Sequence, residues 1–277
     1  MRSPIVAAIA LLLSSSTTHA FDVFTCGLVV PAGEVGHLVS DLSCPGSLEA
    51  GVYLEHGASL SLDGHSLLGD GNGEYGVACV TTCTVTGPGE VGFFDSCLTT
   101  LGNGRMMTVE DVDVHHCDRG ISAPKIRAID VDAHHHAEWA FSVGYDMKGT
   151  RVTADDNGLH GVYGRKVVLQ DSAMRRNGSH AAYIDLSFKG TNVTLEDNVG
   201  VGVIADKIKA TGLTATGNHG GVLAYPSLSL RDSTLVGNTG FDLGSERTPR
   251  LKNVTCDKSL QAPGAIDGPS WGVCAQD

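Results

Sequence analysis

Two consecutive segments of the chain carry side chains that could abstract and return a proton. His160 precedes G-V-Y-G-R (Gly161–Arg165), and His180 precedes A-A-Y-I-D (Ala181–Asp185). Histidine and tyrosine can act as general base and acid, and an arginine can stabilise charge beside the reacting carbon. This combination suits β-elimination or C5 epimerisation of a uronic acid. The candidate catalytic residues are His160 or His180 as base, Tyr163 or Tyr183 as acid, and Arg165 as the group that neutralises the carboxylate.

Three further residues occupy equivalent positions around these segments and could contact a sugar. Trp139 and Arg119 stand in the same sequence column as the two histidines, and Asp185 follows the second tyrosine. Aromatic rings beside polar donors suit pyranose rings, because stacking and directed hydrogen bonds both contribute. The alternative is an ordinary polar surface, since no spacing here is diagnostic of catalysis.

A second motif could hold a divalent metal. D-V-D-V-H (Asp111–His115) is followed 19 residues later by D-V-D-A-H (Asp130–His134). Strand alternation would place Asp111 and Asp130 on the same outer face as the residues two and four positions later. Imidazoles and carboxylates together suit zinc, manganese or calcium. The candidate ligands are Asp113, His115, Asp132, His134 and Asp155. The alternative is a solvated acidic face without a metal.

Charged residues in the following coils predict ion pairs between neighbouring coils. Asp155-Asp156 is followed by Arg175-Arg176 one repeat later, and Glu196-Asp197 follows after one more repeat. Exposed pairs of this kind stabilise a fold by only about 0.2–1 kcal/mol each. We therefore expect a structural role for these columns.

An asparagine column defines the repeat that positions all of these residues. Asn157, Asn177, Asn198, Asn218 and Asn238 are spaced 20 to 21 residues apart, and His136 and Cys117 extend the column upstream. A fixed period with strand-like alternation indicates a β-solenoid whose coils stack about 4.8 Å apart. Asparagines at one turn should hydrogen-bond the backbone of the adjacent coil. The column three residues earlier should face the core, and it contains Val114, Ala133, Ala154, Met174, Leu195, Ala215 and Leu235.

Several motifs resemble those of the right-handed parallel β-helix superfamily, the pectate-lyase-like proteins. L-S-L-D-G-H-S-L-L-G (Leu60–Gly69) resembles the opening coil of many secreted members, and Thr86–Gly89 resembles an internal repeat. The pattern N-x-x-x-G-V recurs at Asn157–Val162 and Asn198–Val203. The resemblance implies an all-β, right-handed parallel β-helix, here of about ten coils with disulfide-stapled end caps. It covers lyases, epimerases, hydrolases and non-catalytic proteins, so fold alone does not select a function.

The catalytic signatures of that superfamily do not supply site residues. The hydrolase motifs Asp-Asp, Gly-His-Gly and Arg-x-Lys lie on separate coils in the family, whereas their partial counterparts here crowd into 155–166. The epimerase motif Asp-Pro-His-Asp has no match, and the comparable strand reads Val162–Arg165. The candidate residues therefore rest on column geometry.

The N-terminus predicts export from the cytoplasm. Arg2, the apolar run Ile5–Leu13 and Thr18-His19-Ala20 have the order of a signal peptide, and the apolar run is too short to span a membrane. We divide the chain into a signal peptide (1–20), an N-terminal cap (21–50), a parallel β-helix (51–245) and a C-terminal cap (246–277). The location is secreted or periplasmic, and no membrane association is expected.

Eight cysteines fit an oxidising compartment. Spacing does not fix connectivity. The simplest pairing is sequential, and it gives Cys26–Cys44, Cys79–Cys83, Cys97–Cys117 and Cys256–Cys274. The first and last bridges would staple the two ends of the solenoid.

Charge and repeat architecture limit the classes of partner. The formal net charge of −12 argues against nucleic acid and would repel an acidic polysaccharide without a metal or a local basic patch. We expect a monomer whose partner is an extracellular polysaccharide. One hypothesis is lyase- or epimerase-type chemistry on a uronic-acid-containing glycan. The other is a non-catalytic extracellular binding or structural protein, with a divalent metal at the D-V-D-x-H repeats.

Overall fold

The fold is a parallel β-solenoid of about 11 turns. The computed structural model describes residues 20–102, 106–261 and 269–277, and all but the last residue of the predicted signal peptide lies outside these ranges. The strands are β1 (Ala20–Val23), β2 (Leu28–Val30), β3 (Val35–Leu38), β4 (Leu42–Ser43), β5 (Ala50–Leu54), β6 (Ser59–Ser61), β7 (Ser66–Leu68), β8 (Tyr75–Cys79), β9 (Cys83–Thr86), β10 (Glu90–Gly92), β11 (Ser96–Thr100), β12 (Met106–Glu110), β13 (Asp113–His115), β14 (Arg119–His134), β15 (Phe141–Asp155), β16 (Val162–Arg175), β17 (Ala182–Glu196), β18 (Val201–Thr216), β19 (Gly220–Val236), β20 (Phe241–Ser245), β21 (Arg250–Cys256) and β22 (Ser259–Gln261).

Each full coil contributes to three parallel β faces, which we number in chain order. Face 1 contains the register pair Tyr163–Tyr183, face 2 contains Lys189–Lys209, and face 3 contains Asp113–Asp132. The long strands β14 to β19 run through all three faces in turn. A register shift separates faces 1 and 2 in these coils.

A residue with left-handed backbone turns the chain between faces 2 and 3. The φ angle is 59° at Asp111, 52° at Asp130, 50° at Asp171 and 67° at Gly212. Aspartate and glycine tolerate this conformation better than most residues. Our expectation that Asp111 and Asp130 share the strand face of the following aspartate and histidine is therefore wrong, because each residue forms the left-handed corner before the face 3 segment.

The core runs along the solenoid axis and is filled by the inward residue of each strand. The predicted inward column is confirmed, because all seven residues from Val114 to Leu235 are fully buried. Next to it, Asn177 donates from Nδ2 to the Oδ1 of Asn198 at 2.8 Å and to the carbonyl of Ala154 at 2.9 Å. The backbone N–H of Asn177 also donates to the same Oδ1 at 3.0 Å. This ladder continues from Asn157 to Asn238.

All four predicted disulfides are present. The parallel pairing also extends beyond both boundaries of the predicted 51–245 segment. Leu28 pairs with Val52 in β5, and Leu251 in β21 pairs with Leu230 in β19. The architecture agrees with the resemblance to parallel β-helix proteins. Among the described residues, no helix has the length and apolar character needed to cross a membrane.

Candidate functional site

Five rings form a continuous ladder on the outside of face 1. We call this the aromatic face, and it consists of Trp139, His160, Tyr163, His180 and Tyr183. The rings of His160 and His180 stack with centroids 5.3 Å apart and planes inclined by 5°. The rings of Tyr163 and Tyr183 stack at 5.9 Å, and Trp139 stacks on Tyr163 at 5.8 Å. The structure thus brings together the candidate histidines, tyrosines and tryptophan.

The ladder follows from parallel register. Phe141, Val162 and Ala182 point inward and are fully buried, so the residue after each of them faces solvent. Tyr163 and Tyr183 are 38% and 37% exposed. Glycines at 158 and 178 pack closely against the backbone of the preceding coil, with no room for a Cβ atom. The turns that carry the histidines therefore stack in the same way as the strands that carry the tyrosines.

Hydrogen bonds fix the protonation pattern of both histidines. The backbone N–H of His180 donates to Nδ1 of His160 at 3.2 Å, and the backbone N–H of Val201 donates to Nδ1 of His180 at 2.8 Å. The proton of each neutral ring therefore resides on Nε2. Burial lowers the pKa of His160 to about 4, with a smaller contribution from His180, and burial also lowers the pKa of His180. At neutral pH both rings are uncharged N–H donors.

Arg165 lies at the edge of the aromatic face. Its guanidinium carbon lies 5.8 Å from the centroid of the Tyr145 ring, within cation–π range. In the described part of the chain, no carboxylate forms an ion pair with it. A cavity of about 450 Å³ opens beside it, lined by Lys125, Tyr145, Asp146, Arg165, Lys166 and Leu186. Sequence reasoning missed Tyr145 and the two lysines, because a register shift precedes Lys166.

The other two candidate substrate contacts, Asp185 and Arg119, are not part of the aromatic face. Asp185 is exposed and belongs to none of the ion pairs among the described residues. Nε of Arg119 lies 3.8 Å from Oε2 of Glu138. Arg119 also lines a separate cavity of about 570 Å³, together with Glu49, Glu74 and Asp95. In the coils that follow Tyr183, a buried apolar cluster contains Val201, Ile204, Phe241 and Leu260.

The histidine–aspartate repeats form a second cluster, on face 3. Asp113 is in register with Asp132, and His115 with His134. Nε2 of His134 lies 3.0 Å from Oδ1 of Asp113, and the two histidine rings stack at 5.6 Å. Four of the five candidate metal ligands are therefore neighbours on two coils.

A glutamate that sequence reasoning missed completes this cluster. Glu90 precedes Asp113 in register, and its Oε2 lies 3.2 Å from Nε2 of His115. Ligand atoms of Glu90, Asp113 and His115 all lie within 4.8 Å of one another. Metal–ligand bonds of about 2.0–2.2 Å make such a group compatible with one ion. Asp132 instead accepts a hydrogen bond from Thr153.

The remaining candidate ligand, Asp155, belongs to an ion-pair network. It is in register with His134, as expected, but its Oδ2 lies 3.4 Å from Nη1 of Arg175 and 3.5 Å from Nη2 of Arg176. Arg176 also forms two hydrogen bonds to Asp156, at 2.8 and 2.6 Å. The predicted ion pairs between coils are confirmed for Arg175 with Asp155 and Glu196 and for Arg176 with Asp156. Among the described residues, Asp197 forms no ion pair. Two guanidinium groups beside Asp155 disfavour a metal cation at that carboxylate.

Comparisons with known proteins give a similar solved structure but no matching family. No family model matches the chain, and no curated protein matches it. A solved structure entitled "Crystal Structure of the periplasmic alginate epimerase AlgG" has 12% sequence identity and a TM-score of 0.49. The match covers 86% of this chain and 79% of that chain. A similarity this low carries no argument about chemistry, so the functional proposals rest on this chain's own residues.

Proposed function

We propose that the protein binds a uronic-acid-containing extracellular polysaccharide on the aromatic face and cleaves it by β-elimination. The ladder of stacked rings beside the guanidinium of Arg165, which forms no ion pair among the described residues, carries this proposal. The rings offer flat surfaces to sugars, and the guanidinium offers two parallel N–H donors to a carboxylate. Four disulfides fit a secreted or periplasmic location, where such a polymer occurs.

The hydrogen-bond pattern changes the roles assigned from the sequence. A histidine whose Nδ1 accepts a backbone N–H carries its proton on Nε2 and offers no lone pair there. His160 and His180 are therefore hydrogen-bond donors to sugar oxygens in this proposal, and not bases. Tyr163 and Tyr183 perform the proton transfers, with one phenolate oxygen as base and one hydroxyl as acid.

The reaction proceeds with a balanced transfer of protons. The phenolate takes the proton from C5, and the carbanion is stabilised as an enolate by Arg165. The electron pair then forms the C4–C5 double bond while the C4–O glycosidic bond breaks. The leaving oxygen takes its proton from the second tyrosine. Both tyrosines project from one outer face and approach one side of a sugar, which favours elimination over inversion at C5.

Ultraviolet absorbance of the unsaturated product tests the proposal. The mature protein is incubated with a panel of polyuronates, with and without divalent metal, and compared with Tyr163→Phe, Tyr183→Phe and Arg165→Gln. Tyr225→Phe is the matched control, because Tyr225 is 38% exposed and lies outside the aromatic face. We expect product from the wild type and the control and at least a hundredfold lower rate from the other variants. Absence of product on every polymer, or equal rates in all variants, would contradict the proposal.

A second candidate function is favoured by the cluster of Glu90, Asp113 and His115 on face 3. In this alternative, we propose that the protein is a non-catalytic extracellular protein that binds zinc or manganese at this cluster. Both metals accept mixed carboxylate and imidazole ligands. The measurement is metal content after equilibration with zinc, manganese or calcium and dialysis. One equivalent in the wild type, lost in Glu90→Gln/His115→Gln and retained in Asp155→Asn, supports this candidate. Equal metal content in all three proteins would exclude this site.

A further inference from the structure

Face 2 concentrates positive charge in a chain whose formal net charge is −12. In seven consecutive coils, its strand segments at 125–129, 146–150, 166–170, 187–191, 207–211, 227–231 and 250–252 hold ten of the 19 lysine and arginine residues and one acidic residue, Asp146. The segment before them, 106–110, pairs with 125–129 and carries the exposed Glu110. All ten basic side chains are exposed. These basic residues are Lys125, Arg127, Lys148, Lys166, Lys189, Lys207, Lys209, Arg231, Arg250 and Lys252.

Parallel register places many of these charges beside one another. Arg127 is opposite Lys148, and Lys189 is opposite Lys209. Like charges on directly opposite residues destabilise a sheet. None of the ten takes part in an ion pair among the described residues. By contrast, the arginines of face 3 are paired with aspartates. Asp146 lies in register between Lys125 and Lys166. The other basic residues of the row have no acidic residue directly opposite them among the described strand segments of face 2.

The basic surface is long, regular and continuous with the aromatic face. Seven coils at about 4.8 Å each extend over about 29 Å. Lys125 lines both the cavity beside Arg165 and a second cavity of about 570 Å³, which also includes Arg127 and Lys148. A polymer that contacts Arg165 can thus continue onto face 2. An extended anion with charges along its length complements this surface, whereas a small anion would use only part of it.

We propose that face 2 binds a carboxylated polysaccharide and holds the protein on that polymer. Binding there neutralises the row of basic residues and overcomes the repulsion expected from the net negative charge of the rest of the protein. The compartment indicated by four disulfides favours a polysaccharide as the polyanion. This inference needs no chemistry at the aromatic face, because binding is measured without turnover.

The test is affinity for a polyuronate immobilised on a sensor surface, with Lys189→Gln/Lys209→Gln compared with Arg247→Gln/Lys258→Gln. The control pair removes the same charge at exposed sites outside the strand segments of face 2. We expect roughly a five- to tenfold loss of affinity in the first variant and under twofold in the control. Binding should weaken steeply between about 0.1 M and about 1 M salt, as the Debye length falls from about 10 Å to about 3 Å.

Three results would overturn the inference. The first is equal affinity of both variants, which would show that only net charge matters. The second is absence of binding by the wild type at low salt. The third is tighter binding to a sulfated polysaccharide or to nucleic acid of matched charge density, which would assign the surface to another polyanion. The two proposals can fail separately, since polymer affinity is measured on the sensor surface and elimination is measured by the ultraviolet absorbance of the unsaturated product.

Discussion

The backbone N–H of His180 donates to Nδ1 of His160 at 3.2 Å. The backbone of the second histidine thereby determines which nitrogen of the first histidine carries the proton. The two imidazoles are 5.3 Å apart and nearly parallel. Protonation of His160 at Nδ1 would turn an accepted hydrogen bond into a contact between two donors. Both rings are therefore held in the neutral form that donates from Nε2.

The first prediction concerns stability below neutral pH. The pKa of His160 is lowered from 6.5 to about 4 in the folded protein, so the unfolded chain binds more protons between these values. The stabilisation is fully present above pH 6.5 and is lost as the pH falls towards 4. Urea unfolding at several pH values should show a shallower pH dependence for His160→Gln than for the wild type. Parallel curves would contradict the assigned protonation state.

A second prediction concerns Trp139. Its ring stacks on Tyr163 and offers a flat surface beside the proposed reacting sugar. Trp139→Ala should weaken binding of a uronate oligosaccharide by roughly tenfold, in line with a contribution of about 1–1.5 kcal/mol from one aromatic contact. Leu159→Ala is the control, because Leu159 is exposed on the neighbouring turn. Isothermal titration calorimetry would give both affinities, and an equal loss in the two variants would exclude a specific stacking role.

A third prediction contrasts two positions of the asparagine column. Asn177 is fully buried and links the coils before and after it. Asn177→Ala should lower the free energy of unfolding by about 2–5 kcal/mol, because it leaves buried partners unsatisfied. Nδ1 of His136, in the same column, accepts the backbone N–H of Cys117 at 3.2 Å, but its buried Nε2 has no hydrogen-bond partner among the described residues.

His136→Asn should therefore be neutral or stabilise the protein by up to about 1 kcal/mol, since an asparagine amide fits the ladder. Chemical denaturation of both variants measures the contrast. A loss of stability in His136→Asn as large as that in Asn177→Ala would show that the histidine is required at its own position.

A fourth prediction concerns the disulfides. Cys97–Cys117 joins residues 20 positions apart, whereas Cys79–Cys83 joins residues four apart. A longer closed loop restricts the unfolded chain more, so Cys97→Ala/Cys117→Ala should cost about 3 kcal/mol and Cys79→Ala/Cys83→Ala less. Differential scanning calorimetry should show the larger fall in Tm for the first pair. The reverse order would indicate that packing around Cys79, and not loop closure, dominates.

The repeat explains which features could be predicted from sequence. A period of about 20 residues turns sequence columns into spatial neighbours, so the asparagine ladder, the inward column and the pairs between Arg176 and Asp156 followed directly. The stacked order of the aromatic face followed from the same alignment. Disulfide pairing was also correct, because the bridging cysteines lie on the same or adjacent coils.

Features outside the strict repeat could not be predicted. Glu90 precedes the asparagine column, where coil lengths are irregular, so its approach to His115 had no sequence signal. The basic surface of face 2 lies beyond the register shifts that follow Ala123 and Val143. Counting residues from the asparagine column therefore assigns the wrong neighbours to residues on face 2. The left-handed corner at Asp130 broke the alternation assumed for face 3. The tautomers of His160 and His180 depend on backbone N–H directions, which only coordinates provide.

The most direct test of the account is proton nuclear magnetic resonance of a polyuronate incubated with the mature protein in D₂O. Elimination by the tyrosines of the aromatic face predicts a new vinylic signal from C4 of the unsaturated sugar, lost in Tyr163→Phe/Tyr183→Phe and kept in Tyr225→Phe. Deuterium at C5 without a vinylic signal would indicate epimerisation and contradict elimination. A spectrum with neither change, across the polyuronates tested, would contradict proton abstraction altogether and leave a binding role.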